Sequence, residues 1–278
     1  MKLTFPINQV DVEIVDRPFD AMNDSVYRTR VLSIKEKELI LQIDQVASYK
    51  VQNGSTISVF PYKEADHDSI QLFLNGSVLG AVLHQQKIIP FHGSSFTYNG
   101  KGIMICGHSG VGKSSVVAAF CQNGGQFIDD DITPLYIENG KTIAWNLPTK
   151  MKLWDDTINL LRIDSEELKK IRPSMDKFYI PSLASENQSN KQLDSILILN
   201  VHNEENFKVE RPDKITKFNL LRSNIYRKIY LKGMPDTERK YFDPLLKMAD
   251  MLDLVIVHRP RLSDALSTME FIRQEVLI

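Results

Sequence analysis

Residues Gly107-His108-Ser109-Gly110-Val111-Gly112-Lys113-Ser114 read G-x-x-x-x-G-K-S, the spacing of a phosphate-binding loop. Glycines let backbone amides close round phosphate oxygens without a Cβ in the way. Lys113 is expected to reach the β- and γ-phosphates of ATP and Ser114 to hold Mg²⁺. Val111, Ser109, His108 and Ser115 complete the predicted nucleotide contacts. Seventeen and eighteen residues after Lys113 come Asp130 and Asp131, in the run Asp129-Asp130-Asp131. Carboxylates there could bind the metal and take a proton from an acceptor hydroxyl. Fifteen residues before Gly107 stands His92. It is expected to lie beside the phosphates.

These residues converge only if the elements between them have suitable lengths. Ile103–Cys106 is apolar and reads as a strand entering the loop, and Val116, Val117, Ala118, Ala119 and Phe120 read as a helix leaving it. Gly124-Gly125 marks the helix end. A helix of about 12 residues travels about 18 Å, and a strand of five or six residues returns about as far. The acids therefore end level with the loop. Alternation along the strand sends neighbouring aspartates to opposite faces, so one carboxylate at the metal and one at the acceptor is the economical division. Asn99-Gly100 between strand patterns is a hairpin signal. A two-residue turn pairs Tyr98 with Lys101 and carries His92 opposite Gly107.

Outside this core the patterns are plainer. Residues 1–74 read as a small β-rich domain, with strands at Val10–Ile14, parts of Tyr27–Ile34, Thr56–Phe60 and Ile70–Leu74. Residues 75–278 form the second predicted domain. Within it, 75–89 reads as helix, Leu135–Ile137 and Thr142–Trp145 as a hairpin, and the stretch from Pro148 to Leu161 as the start of a short helix. Asp164–Glu167 matches a capping box. Residues 181–192 read as a polar, mobile loop. Leu193–Val201, Phe207–Glu210 and Leu254–Val257 read as strands. Helices are expected over Ile215–Ile229, over 237–251 with Pro244 kinking or restarting it, and after Ser263-Asp264. His67 has no second His or Cys at ligand spacing and reads as part of a solvated loop, and His84 reads as a packed or surface histidine. Arg222, Arg227 and Lys228 read as a solvated face, with the alternative that one of the arginines reaches a phosphate.

The chain has 278 residues, 42% hydrophobic and 25% charged, with a net charge of −1. That suits a globular chain with a full core. It leaves no basic footprint for nucleic acid. No apolar run is long enough to span a membrane, and the N-terminus lacks a signal-peptide pattern. A cytoplasmic location is expected, with Cys106 and Cys121 as reduced core thiols.

Phe91-His92-Gly93, the loop Gly107–Ser114 and Gln122–Asp131, at these intervals, resemble the catalytic half of the HPr kinase/phosphorylase family over about residues 90–135. The resemblance implies an α/β fold: a P-loop kinase core of the HPr kinase and phosphoenolpyruvate carboxykinase type with a mixed sheet. It implies His92 and Lys113 at the transferring phosphate, Ser114 at Mg²⁺, and Asp130-Asp131 as general base and metal contact. Ser115 stands where the family often has glutamate. Trp145–Thr149 replaces its later glutamate segment, and its arginine-rich phosphorolytic segment has no match. Lys152–Asp155, the β-rich N-terminus and Leu221-Arg222 with Tyr226-Arg227 look more like short relatives encoded beside lasso-peptide and similar peptide-modification genes.

The expected activity is ATP- and Mg²⁺-dependent phosphorylation of a serine in a peptide or protein, such as the C-terminal serine of a lasso-type precursor. The alternatives are a small-molecule kinase and a non-catalytic nucleotide-binding regulator. A GTPase switch is disfavoured, since no Asp-x-x-Gly occurs. A homo-oligomer is compatible with the sequence.

Overall fold

The computed structural model describes residues 2–173, 175–181 and 189–277. The predicted loop at 181–192 therefore lies largely outside the described residues. The chain divides into two compact units: 1–90 with 226–243, and 91–225 with 244–278.

The first unit is built on a six-stranded sheet of β1 (Asp11–Ile14), β2 (Tyr27–Arg28), β3 (Leu32–Lys35), β4 (Glu38–Ile43), β5 (Ala47–Gln52) and β6 (Thr56–Pro61), ordered β1-β6-β5-β4-β3-β2. Strands β2 to β6 form an antiparallel meander, and β1 returns parallel to β6. Inward residues such as Ile34, Leu39, Tyr49, Val51, Ile57 and Val59 are fully buried, as alternation requires. Helix α1 (His67–Phe73) follows, then a π-helical turn at Leu74–Val78 and α2 (Leu79–Gln86).

Ile70–Leu74 is thus helical and not the expected strand. The Asp66 carboxylate accepts from the Ser69 amide and caps α1. Ile70 and Leu74, four apart, share a buried face. The helices of 67–86 group with the first unit. His84, on α2, is fully buried. Its Nδ1 bonds the Tyr241 hydroxyl at 3.0 Å and its Nε2 the Tyr226 carbonyl at 2.9 Å. His67 opens α1, half exposed, with Nε2 on the Lys2 carbonyl.

Strand β7 (Ile89–Phe91) carries the chain into the second unit. There, β8 (Gly93–Tyr98) and β9 (Lys101–Cys106) form a hairpin with Tyr98 opposite Lys101 and Gly93 opposite Cys106. Asn99 and Gly100 have φ of 49° and 77°, the geometry of a type I′ turn. Helix α3 (Lys113–Gln122) follows the loop and ends at Asn123, with Gly124 at φ 93°. Strand β10 (Gln126–Asp129) then pairs antiparallel with β8.

The rest of the unit comprises β11 (Thr133–Glu138), β12 (Lys141–Ala144), β13 (Met151–Trp154), α4 (Asp155–Leu160), β14 (Lys177–Ile180), β15 (Lys191–Gln192), β16 (Ser195–His202), β17 (Lys208–Glu210) and α5 (Lys214–Ser223). After them come α6 (Pro235–Met251), β18 (Asp253–Pro260) and α7 (Ala265–Glu275). Helix α6 has residues in both units. The central sheet is mixed, ordered β10-β8-β9-β16-β18-β17, with β9, β16 and β18 parallel. Helix α3 packs its apolar face on this sheet and on α7. Val116, Val117, Ala118, Ala119 and Phe120 are fully buried there, and Phe120 stacks on Phe96 with ring centroids 4.7 Å apart. Burying one such phenylalanine stabilises by about 3 kcal/mol.

Four expectations are corrected here. Asp164–Glu167 starts no helix among the described residues: the Asp164 carboxylate accepts from the Glu166 amide in a local turn. The helix begun near Ile215 stops at Asn224, and Ile225 bridges back to Phe91. The stretch after Pro148 first forms strand β13, with α4 only after it. Helix α6 runs through Pro244 without a break. Cys106 and Cys121 are both free thiols.

Candidate active site

The site forms where parallel strands end. Strand β9 runs out at Cys106, and the chain turns through Gly107 (φ 141°), Gly110 (φ 82°) and Gly112 (φ 98°) into α3. A Cβ on Gly107 would lie 2.4 Å from the Leu199 carbonyl oxygen, so only glycine fits there. Gly112 caps α3 in the left-handed region. Val111 is buried and anchors the loop, while His108, Ser109 and Gly110 are exposed at its tip. The first amides of α3 face the cavity without intrahelical partners, an anion-seeking arrangement.

Lys113 folds back under the loop. Its Nζ donates to the carbonyls of Gly107 (3.0 Å) and His108 (3.1 Å) and meets His92 Nε2 at 3.2 Å. An ammonium has only donors, so His92 Nε2 must be the acceptor. The ring proton then sits on Nδ1 and is donated to the Asp131 carbonyl at 3.0 Å. His92 is consequently a neutral imidazole of defined tautomer. Burial, then the charge of Lys113, holds its pKa below the ordinary histidine value. Burial also lowers the Lys113 pKa.

The three aspartates separate. Asp129 is fully buried, accepts from the Thr149 hydroxyl and the Asp130 amide, and has its pKa pushed up by burial. It serves the scaffold. Asp130 Oδ1 accepts from Ser114 Oγ (2.7 Å) and Ser94 Oγ (2.8 Å), and its Oδ2 accepts the Lys152 amide (3.0 Å). Asp131 adopts φ 75°, which turns it out of the strand. Its carboxylate lies 3.4 Å from His92 Nδ1 and 3.5 Å from Lys152 Nζ, with the side chain 37% exposed. Burial alone would raise its pKa, but Lys152, His92 and Lys177 outweigh that and hold it below the usual carboxylate value.

All the predicted site residues thus fall in one region of the second unit. Gly110, Ser109, Gly112, Lys113, Ser114, Ser115, His92, Asp130 and Asp131 line a single cavity of about 760 Å³. Ser115 bonds the Thr157 hydroxyl of α4 at 2.8 Å. Sequence reasoning missed Lys177 and Arg259, which share the cavity, and gave Lys152 no chemical role. Lys152 and Lys177 come from the paired strands β13 and β14, and Lys177 lies over the Trp154 ring at 5.7 Å. Among the described residues no group of three or more His, Cys, Asp or Glu could hold a metal by itself.

A strand, a glycine loop closing onto a helix and a carboxylate strand beside it define a mixed α/β unit with an anion-seeking pocket. No protein-family model matches the chain. Over 111 residues it is 29% identical to an HPr kinase/phosphorylase of Lactobacillus gasseri, a match covering 37% of this chain and 35% of that relative. The chain thus spans about a third of the length of the curated relative it matches. It also overlays on the Hpr(Ser) kinase/phosphatase of Coxiella burnetii, at 13% identity over 68% of this chain and 96% of that one. The TM-score there is 0.35, too low to bear on the fold. No described helix is long and apolar enough to cross a membrane.

Proposed function

We propose that the protein transfers a phosphoryl group from ATP to a serine hydroxyl of a protein or peptide. The observation that carries this reading is the bond from Ser114 Oγ to Asp130, directly below the glycine loop and beside Lys113 and His92. In that reading the loop amides and Lys113 hold the phosphates. Ser114 and Asp130 would hold Mg²⁺. Two hard oxygen donors from the protein suit an ion that keeps waters and phosphate oxygens as its other ligands. The bound ion would supply charge neutralisation at the phosphates.

The chain's own groups divide the remaining work. Asp131, more exposed than Asp130 and next to His92, receives the acceptor proton. His92, neutral and fixed through its Nδ1 proton, orients Lys113 without itself adding a positive charge beside the ammonium. The resemblance to an HPr kinase/phosphorylase supports a serine-bearing polypeptide as acceptor. A peptide such as the tail of a lasso-type precursor remains the narrower version. The protein is then a soluble, ATP-dependent phosphotransferase of the cytoplasm.

The test is incubation with γ-labelled ATP and Mg²⁺ alongside separate pools of polypeptides and of small metabolites. Label is expected on serine of a polypeptide with the unaltered chain and none with Asp130→Asn. Label only in metabolites would make it a small-molecule kinase. Tight ATP binding without any product would leave a nucleotide-binding regulator.

A further inference from the structure

Arg259 is the penultimate residue of β18, two strands away from the glycine loop, and nothing in the loop motif points to it. Register places it opposite Val201 of β16, three residues beyond the Ile198–Cys106 pairing. Its guanidinium thus rises above the end of β9 to the level of the loop. The guanidinium carbon and Nη2 lie 3.9 Å from where a Cβ of Gly112 would stand. Nη1 donates to the Ser263 carbonyl at 2.6 Å. Nε is buried and has no hydrogen-bond partner.

This is an unfavourable place for a cation. The amino end of α3 carries partial positive charge, and Lys113 is the first residue of that helix. Among the described residues Arg259 makes no ion pair. The nearby Asp264 is committed to capping α7 through the Ser267 amide at 2.7 Å. Burial lowers the arginine pKa, and the charge of Asp264 offsets that only in part. An anion between Arg259 and the α3 amino end would satisfy Nε, Nη2 and the helix amides together. Guanidinium offers planar, paired donors suited to phosphate oxygens.

We propose that Arg259 is a second cation for the donor polyphosphate, gripping non-bridging phosphate oxygens together with the amino end of α3. The proposal rests on the nucleotide reading of the loop, and deepens it. It assigns to β18 a phosphate contact that the loop motif does not contain.

The test measures binding of ATP, ADP and inorganic tripolyphosphate to the full chain and to Arg259→Gln. Loss of a charged hydrogen-bond pair is expected to weaken all three by about tenfold to a hundredfold. Arg259→Lys should recover part of that loss. Unchanged affinity in Arg259→Gln, with the unaltered chain binding normally, overturns this inference alone. A loss for ATP but not for tripolyphosphate also overturns it, because the guanidinium would then serve the nucleoside. If the unaltered chain binds none of the three, the nucleotide reading fails and this falls with it. Since Nη1 also supports Ser263, melting of the variant is compared with the unaltered chain. A fold-independent check uses phenylglyoxal on the unaltered protein: tripolyphosphate should protect Arg259, and equal labelling with and without it overturns the proposal.

Discussion

The two units each hold a histidine between hydrogen-bond partners, and they treat it in opposite ways. His84 of the first unit is sealed in an apolar core, with one ring nitrogen on the Tyr241 hydroxyl and the other on the Tyr226 carbonyl. Its partners are neutral and its hydrogen bonds complete. Burial depresses its pKa from 6.5 to about 4. His92 of the second unit touches a lysine on one nitrogen and the backbone of an aspartate on the other, on the wall of a cavity. Buried polar groups that are satisfied by neutral partners hold a fold together. A cluster of charges at the ends of parallel strands, with amides and an arginine nitrogen still unmatched, is built to receive something. The difference assigns structure to the first unit's polar interior and chemistry to the second's.

The largest effect expected from breaking this contrast is at Lys113. If the proposed transfer is right, replacing it with alanine removes the ammonium that would neutralise the transferring phosphate, and transfer should fall by about a thousandfold or more. The melting temperature should move little, because Nζ bonds only two loop carbonyls and His92. Near-normal transfer by this variant, measured with labelled ATP, would remove Lys113 from the mechanism.

That residue was legible in the sequence because the loop motif is local. So was the β8–β9 register, since Asn99-Gly100 permits one tight turn and every pairing follows from it. The acids were legible through distance alone, a helix out and a strand back. What escaped depended on contacts distant in sequence. Lys177 pairs with Trp154, 23 residues away, and Arg259 with Val201, 58 residues away. No spacing rule links them to Lys113. Ile70–Leu74 misled because a short apolar run fits either period, and the Asp66 cap decided it. Asp164–Glu167 had the cap residues but only Leu168 and Ile171 behind them before Pro173, too short a run for a stable helix, and it formed only a turn. The predicted domain edge at residue 74 followed the change from strand patterns to a helix pattern, while the helical run in fact extends from His67 to Gln86.

A second, smaller effect tests the structural histidine. Above pH 6.5 His84 is neutral both folded and unfolded and adds no pH dependence. As pH falls from 6.5 towards the folded value of about 4, the unfolded chain takes up a proton that the folded unit refuses. Stability therefore declines through that window. Between pH 7 and pH 5 the loss from this one group is about 2 kcal/mol. His84→Gln keeps a donor and an acceptor but cannot titrate. Urea unfolding at the two pH values should show a drop smaller by about that amount in the variant. Equal drops in both proteins would show that His84 is not held neutral.

The smallest expected effect is at His92. His92→Gln retains a side chain able to donate and accept, so the contact to Lys113 survives in part while the rigid ring does not. A group that orients a catalytic lysine, and does not itself carry the phosphate charge, contributes less than the lysine. The loss in kcat should be about tenfold, equivalent to about 1.4 kcal/mol on the barrier, with KM for ATP nearly unchanged. The urea midpoint at pH 7 should also stay close to that of the unaltered chain. A variant that lost stability while keeping kcat would make His92 the same kind of residue as His84, and the contrast between the units would collapse. A fall in kcat at constant stability preserves it, because only a group acting at the phosphates moves the one quantity without the other.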